Sequence, residues 1–327
     1  MNRSLGTYNI FDNKGIIKSV KNVIKSNTDY NNYSSPKGLK ELRIEISNFI
    51  YSNWNYKVSY NNMLITSGSQ QSLNLIINSL LTNEDTVLIE QPTYFGAIDI
   101  LNNKNVNLVG VNLYEDGLDL LELEEKIIKY KPKLIYVTPT FNNPTGYSWT
   151  NKNRKSFLKI INKYNILVIE DDPYSLINFT NIKYESLYKL NKGKNIIYIG
   201  TFSKLISPSI NIGYIIYDKI DEIYSYKKLT DLCTNSFIQY IVLDYLKNND
   251  LYKIIQMKIK KYKKLLDKST LSIKKEYKDN IDYYTNIKGG LFYLVKFKKD
   301  IEKDYCEENY FINGTNNDLM RVNICSL

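Results

Sequence analysis

Two kinds of apolar pattern alternate along the chain. Short, mostly β-branched runs recur at 63–66, 86–90, 106–111, 134–138, 166–170, 196–199 and 213–217. Amphipathic stretches separate them, the first around 70–81. A strand buried on both faces needs a nearly continuous apolar run, and strands alternating with helices predict a mostly parallel central sheet with helices on both faces. After about residue 218 the pattern changes to Lys-rich helical periodicity as far as roughly 277, followed by strand-like runs at 290–295 and 319–324. The pattern predicts a large α/β domain over 58–217, with 1–57 and 218–327 forming a smaller α+β domain and N-terminal segment. No Pro/Gly-rich linker cuts the chain in half.

Composition narrows the chemistry. At 327 residues and 43% hydrophobic, the chain is long enough to bury a sizeable core, and readings as a disordered or disulfide-stapled chain fail. Histidine is absent, which removes Ser-His-Asp and Cys-His catalysis and imidazole bases. Acid–base chemistry must therefore use Lys, Asp, Glu, Tyr or Cys. Cys233, Cys306 and Cys325 are too far apart for a redox pair or metal cluster, so reduced thiols and no metal are expected. The N-terminus has no apolar signal core and no run reaches membrane-spanning length, which predicts a cytoplasmic chain without membrane partners.

The net charge of +10 could suggest nucleic acid. Its carriers are nearly all lysines spread along the whole length; only Arg3, Arg43, Arg154 and Arg321 offer the planar fork that phosphate and base recognition favour. No nucleic-acid partner is expected. The densest basic run, 258–268, spaces its lysines at helical intervals among apolar residues and reads as a solvated helix face.

In an open α/β sheet, ligands sit at the carboxyl ends of the strands. Ser67-Gly68-Ser69-Gln70-Gln71 opens a helix there, where free N–H groups suit a phosphate, although Ser and Gly also serve as ordinary caps. Glu90-Gln91-Pro92-Thr93-Tyr94 ends a strand on an aromatic ring, and Asn142-Asn143-Pro144-Thr145-Gly146 follows another as a turn or as a site. Glu170-Asp171-Asp172-Pro173-Tyr174 sets carboxylates straight after an apolar strand, where they need a cation or water. Thr201-Phe202-Ser203-Lys204 places a lysine behind hydroxyls, either a surface charge or a nucleophilic amine.

Taken as an ordered set from about Tyr33 to Arg321, these motifs resemble the fold type I pyridoxal-phosphate enzymes of the class I/II aminotransferase superfamily. They are similar to the group of 2-aminoadipate-type aminotransferases and the aminotransferase-like domains of GntR-type regulators. The resemblance implies a cytoplasmic aminotransferase of amino acid metabolism that moves an amino group from an α-amino acid to a 2-oxo acid. Lys204 would form the Schiff base with pyridoxal 5′-phosphate and later move the substrate proton. Asp171 would pair with the pyridine nitrogen, keeping the ring an electron sink. Tyr174 and Asn143 would hydrogen-bond the ring hydroxyl, Tyr94 would stack on the ring, and Ser69, Gln70, Thr201 and Ser203 would cradle the phosphate. Arg321 would grip the substrate carboxylate. Tyr33 would reach the phosphate of a neighbouring subunit, implying a homodimer with shared sites. Another reaction on the same fold (decarboxylase, lyase or racemase) and a non-catalytic cofactor- or metabolite-binding domain stay open as alternatives.

The family pattern is not met everywhere. Relatives carry an arginine for the phosphate seven residues after the lysine, where this chain has Asn211. Losing a charge-assisted hydrogen bond predicts cofactor retention weaker by about ten- to hundredfold. Relatives also continue with a further helix beyond the position of Arg321, and their Gly-containing lid segment is hard to locate here.

Overall fold

The apolar runs fold as strands of one sheet in the computed structural model, which describes residues 10–26, 29–299, 310–312 and 318–325. In chain order the strands are β1 (Met63–Thr66), β2 (Thr86–Gln91), β3 (Asn107–Tyr114), β4 (Gly117–Leu118), β5 (Leu134–Val137), β6 (Leu167–Asp172), β7 (Ile196–Thr201) and β8 (Gly213–Ile216). They lie side by side as β1-β8-β7-β6-β5-β2-β3-β4. The five strands from β7 to β3 are parallel, β8 runs antiparallel to both its neighbours, and β4 folds back on β3.

Ten helices accompany the strands among the described residues: α1 (Asn13–Lys25), α2 (Lys40–Trp54), α3 (Gly68–Leu80), α4 (Phe95–Asn103), α5 (Leu120–Tyr130), α6 (Asn151–Tyr164), α7 (Leu187–Leu190), α8 (Ile220–Thr230), α9 (Ser236–Asn248) and α10 (Leu251–Tyr277). Alternate strand residues enter opposite cores. Leu64, Val87, Ile89, Tyr136, Ile169 and Ile197 pack with α3, α4 and α8, while Met63, Leu88, Ile135, Val168 and Ile196 pack with α2, α5 and α6. Both faces of β1, β2, β5, β6, β7 and β8 are dry, which is why these strands read as nearly continuous apolar runs, whereas β3 near the sheet edge is partly exposed.

A second, antiparallel sheet has the order β11-β10-β9, with β9 (Ile281–Tyr284), β10 (Phe292–Phe297) and β11 (Leu319–Asn323). β10 and β11 match the predicted runs. β9 was not expected, because Asp282, Tyr283 and Tyr284 are all exposed on this edge strand and leave no alternation to read. The basic run on α10 corrects one expectation. Lys260, Lys261, Lys263, Lys264 and Lys268 face solvent, but Lys258 is 4% exposed and its Nζ donates to the carbonyls of Leu205 and Ile206 at 2.5 and 3.1 Å. Burial pulls that ammonium down to about 8. Among the described residues, no helix is long and apolar enough to cross a membrane.

Candidate active site

Three consecutive carboxylates close β6, and strand alternation separates them. Glu170 accepts the N–H groups of Leu187 and Tyr188, both at 2.8 Å, at the start of α7. Asp172 accepts Ser175 N–H at 3.0 Å and Tyr198 O–H at 2.9 Å. Asp171 turns to the opposite face, where Oδ2 accepts Tyr136 O–H at 2.9 Å. Its Oδ1 is buried with no hydrogen-bond partner. Burial, with Asp172 and Glu90 nearby, pushes Asp171 up to about 7 despite the Tyr136 bond. A buried carboxylate oxygen without a donor is costly, and this atom is free to accept an N–H or a cation.

The neighbouring strand supplies the amine. In the pairing of β6 with β7, Asp171 lies opposite Ile199 and Asp172 opposite Gly200, so both strands end together and Lys204 follows a short turn later. Lys204 is partly buried, and its ammonium is held below the usual lysine range by burial and by the charge of Arg321. Cys325 lies near enough to oppose that effect slightly, while burial drives its own thiol up to about 12. Arg321 stands opposite Leu294 in the small sheet and donates from Nη1 to Asn143 Oδ1 at 3.2 Å. Its guanidinium lies over the rings of Phe292, Tyr310 and Phe95 at 4.6, 5.5 and 5.8 Å. The Tyr174 ring meets Phe292 edge-on at 5.9 Å. Lys204, Asn143, Arg321 and Tyr174 thus converge.

A cup forms where β1, β7 and β8 meet α3. Gly213 pairs with both Thr66 and Thr201, and a Cβ on it would fall 2.7 Å from the backbone carbon of Gly68. Only glycine permits that approach. The side chain of Ser67 makes no cap hydrogen bond at the start of α3, which leaves the first-turn N–H groups beside Ser69 and Gln70 without a side-chain cap. Thr201 Oγ1 accepts Ser203 N–H and donates to Ile212 O, each at 3.1 Å. Tyr94 O–H donates to Gln70 Oε1 at 3.1 Å, standing that ring at the cup rim. Asn211 completes the wall. With φ 43° its side chain lies over Gly68, Oδ1 being 2.2 Å from where a Cβ of that glycine would sit. Tyr33 stands apart from this cluster, with 81% of its surface exposed.

Several residues of the site escaped the sequence reading. Glu90 and Arg154 are both fully buried and bind the loop that carries Asn143. Glu90 is pushed up to about 7 by burial, against hydrogen bonds from Thr138 and Asn142. A charge closing the run Val87-Leu88-Ile89-Glu90 and the rarity of arginine were the available signals. Nothing in the spacing pointed to Tyr136, Cys325 or the rings around Arg321. Cys306 lies outside the described residues.

An uncapped helix N-terminus ringed by hydroxyls, a buried acid with one open oxygen, and an amine with a depressed pKa together fit pyridoxal phosphate. The class is a fold type I cofactor-dependent transferase. The family model described as aminotransferase class I and II matches residues 1–322, and the chain belongs to that family. It is 29% identical over 289 residues to an aromatic-amino-acid aminotransferase of Thermococcus litoralis, covering 86% of this chain and 69% of that one. It is 28% identical to a 2-aminoadipate transaminase of Thermus thermophilus, covering 90% and 77%. The crystal structure of the α-aminoadipate aminotransferase from Thermus thermophilus, complexed with N-(5′-phosphopyridoxyl)-L-leucine, superposes with a TM-score of 0.91 at 25% identity over 99% of this chain and 86% of that one. The protein is accordingly a pyridoxal-phosphate-dependent aminotransferase.

Proposed function

We propose that the chain moves the amino group of an α-amino acid to a 2-oxo acid at the site between Asp171 and Lys204. The open, buried Oδ1 of Asp171 at the end of β6, one strand away from Lys204, carries this reading. Pyridoxal phosphate, when bound, supplies an aldehyde to hold the amine and a ring that delocalises electrons from the substrate Cα. Asp171 would pair with the ring nitrogen. The Lys204 amine, held below the usual lysine range by burial and by the charge of Arg321, would take the proton from the substrate Cα. Asn143 and Tyr174 would bind the ring hydroxyl, Tyr94 would cover the ring, and Ser69, Gln70, Thr201 and Ser203 would hold the phosphate.

Arg321 would fork onto the substrate carboxylate, oriented by Asn143 and its three rings. Phe95, Phe292 and Tyr310 make that wall aromatic, and Arg43 and Arg154 are occupied with backbone carbonyls elsewhere. Donors with apolar or aromatic side chains fit this wall better than acidic ones. The exposure of Tyr33 suits a homodimer in which it reaches the partner's phosphate. Residues 58–217 would carry the cofactor, with 1–57 and 218–327 closing over it, in a cytoplasmic enzyme of amino acid metabolism.

Visible spectra of the purified protein with a panel of amino acids test the reading. The cofactor band should be lost on adding donor, with an oxo acid as product. An amine or released sulfide, or a Lys204→Ala variant that keeps both band and turnover, would overturn it.

A further inference from the structure

We propose that Glu90 and Arg154 are positioning residues that clamp the 138–149 loop from two sides and so set the place of Asn143 and, through it, of Arg321. The proposal rests on the reading of Asn143 and Arg321 given above. The loop joins β5 to α6 without regular structure, yet residues 138–146 are all buried. Its backbone polar groups therefore need partners inside the protein.

A buried carboxyl and a buried guanidinium answer that need. Glu90 Oε1 accepts the Thr138 N–H at 2.7 Å, the Thr138 hydroxyl, and Asn142 Nδ2 at 2.8 Å. Arg154 does the reverse: it donates to Pro139 O at 2.7 Å, Thr140 Oγ1 at 2.9 Å, Trp149 O at 3.1 Å and Glu185 O at 3.0 Å. The acid takes the loop's donors and the guanidinium feeds its carbonyls. Neither side chain forms an ion pair within 4 Å among the described residues, and most of the hydrogen bonds each makes go to the loop. The charge-assisted hydrogen bonds of Arg154 hold geometry more tightly than neutral ones.

Asn142 transmits the hold. Its Nδ2 also donates to Thr138 Oγ1 at 2.7 Å, and its Oδ1 accepts Thr145 N–H and O–H at 3.1 and 2.8 Å. The next residue in the chain is Asn143, whose Oδ1 accepts Arg321. A shift at Asn142 passes through one peptide to the amide that orients the substrate-binding guanidinium. Lysine could not replace Arg154, since a single ammonium cannot span carbonyls at Pro139, Trp149 and Glu185 together.

The test compares loaded wild-type enzyme with Glu90→Gln, Thr138→Val and Asn143→Ala. Circular dichroism and cofactor content report folding; the split of KM against kcat and the pH midpoint of the cofactor's visible absorption report position. The Thr138 hydroxyl makes two of these bonds, to Glu90 and from Asn142, and losing a hydrogen bond is worth about fivefold, so Thr138→Val should raise the donor KM by at least about that factor and Glu90→Gln by about as much. Both should keep their cofactor and move the absorption midpoint in the same direction as Asn143→Ala. If the two variants fold, stay loaded and match wild type in midpoint and KM while Asn143→Ala moves both, the clamp is refuted and the site reading stands. If Asn143→Ala itself moves neither, the site reading fails first. Should Glu90→Gln not fold, Thr138→Val decides alone.

Discussion

Asn211→Arg is the substitution with the most separable consequences. Asn211 caps the 3-10 turn Pro208–Ile210 with φ 43° and lays its amide over Gly68 at the mouth of the cup. A phosphate bound as proposed would meet uncapped N–H groups and hydroxyls at this point, with the neutral amide of Asn211 in place of the arginine that the family resemblance implies. A charge-assisted bond contributes about 1.5–3 kcal/mol, so an arginine reaching the phosphate should tighten cofactor binding about ten- to hundredfold. The backbone imposes a cost that appears elsewhere. Asparagine tolerates the left-handed region, whereas most side chains lose about 1–2 kcal/mol there. That strain is present whether or not cofactor is bound, so it lowers the stability of the unloaded protein and leaves the affinity gain intact.

The two effects are read separately. Fluorescence or absorbance titration of the stripped protein gives the dissociation constant; thermal melts with and without cofactor give stability. The unloaded variant should melt lower by a few degrees. At saturating cofactor the difference should vanish or reverse, because tenfold tighter binding adds about 1.4 kcal/mol to the folded state. A variant that melts lower when empty but binds no more tightly would refute the placement of residue 211 against the phosphate.

Asp171→Asn should change how the unloaded protein responds to pH. The wild-type carboxyl titrates at about 7 when folded, against an ordinary value of 3.8, so its contribution to stability is complete below about 4 and is lost as pH rises to about 7. The asparagine variant should lack that part of the slope, about 1.4 kcal/mol per pH unit at most, in melts run from pH 4 to 8. It should also hold a spectrally altered cofactor with little turnover; an unchanged spectrum would count against Asp171 as the ring's partner. Arg321→Lys should raise the donor KM about ten- to hundredfold with smaller loss of cofactor binding, measured by steady-state kinetics. Gly213→Ala should destabilise the fold by about 1–3 kcal/mol and weaken cofactor retention, since its Cβ would fall 2.7 Å from the Gly68 backbone.

Much of the large sheet was legible because both faces of its inner strands are dry. Seven predicted runs became β1, β2, β3, β5, β6, β7 and β8, since an apolar run can only be buried. The antiparallel direction of β8 was not legible: its residues are as apolar as those of its parallel neighbours, and direction is set by the short connection through Lys204. Motif order exposed the residues that meet the cup, but the residues beneath them stayed hidden. Tyr136 is a strand tyrosine among apolar neighbours, and its part in holding Asp171 Oδ2 depends on two strands meeting in register. Cys325 reached Lys204 through the small sheet, across more than a hundred residues of chain.

Arginine scarcity carries more structural information than its small count suggests. Of 44 basic residues only four are arginine, and three of these lie among the described residues. Arg43 donates to Gly38 O and Tyr60 O, Arg154 to three carbonyls and a hydroxyl, and Arg321 to the Asn143 amide under a canopy of rings. Each task needs a planar fork with fixed donor directions, which an ammonium on a flexible stem does not provide. Each described arginine therefore stands where several fixed donor directions are used at once. On the same reasoning, Asn211 marks the place where the proposed phosphate cradle lacks a fork. A phosphate held as proposed, by α3 and by hydroxyls, would still bind without a guanidinium but about ten- to hundredfold less tightly, while the left-handed backbone at 211 suits asparagine.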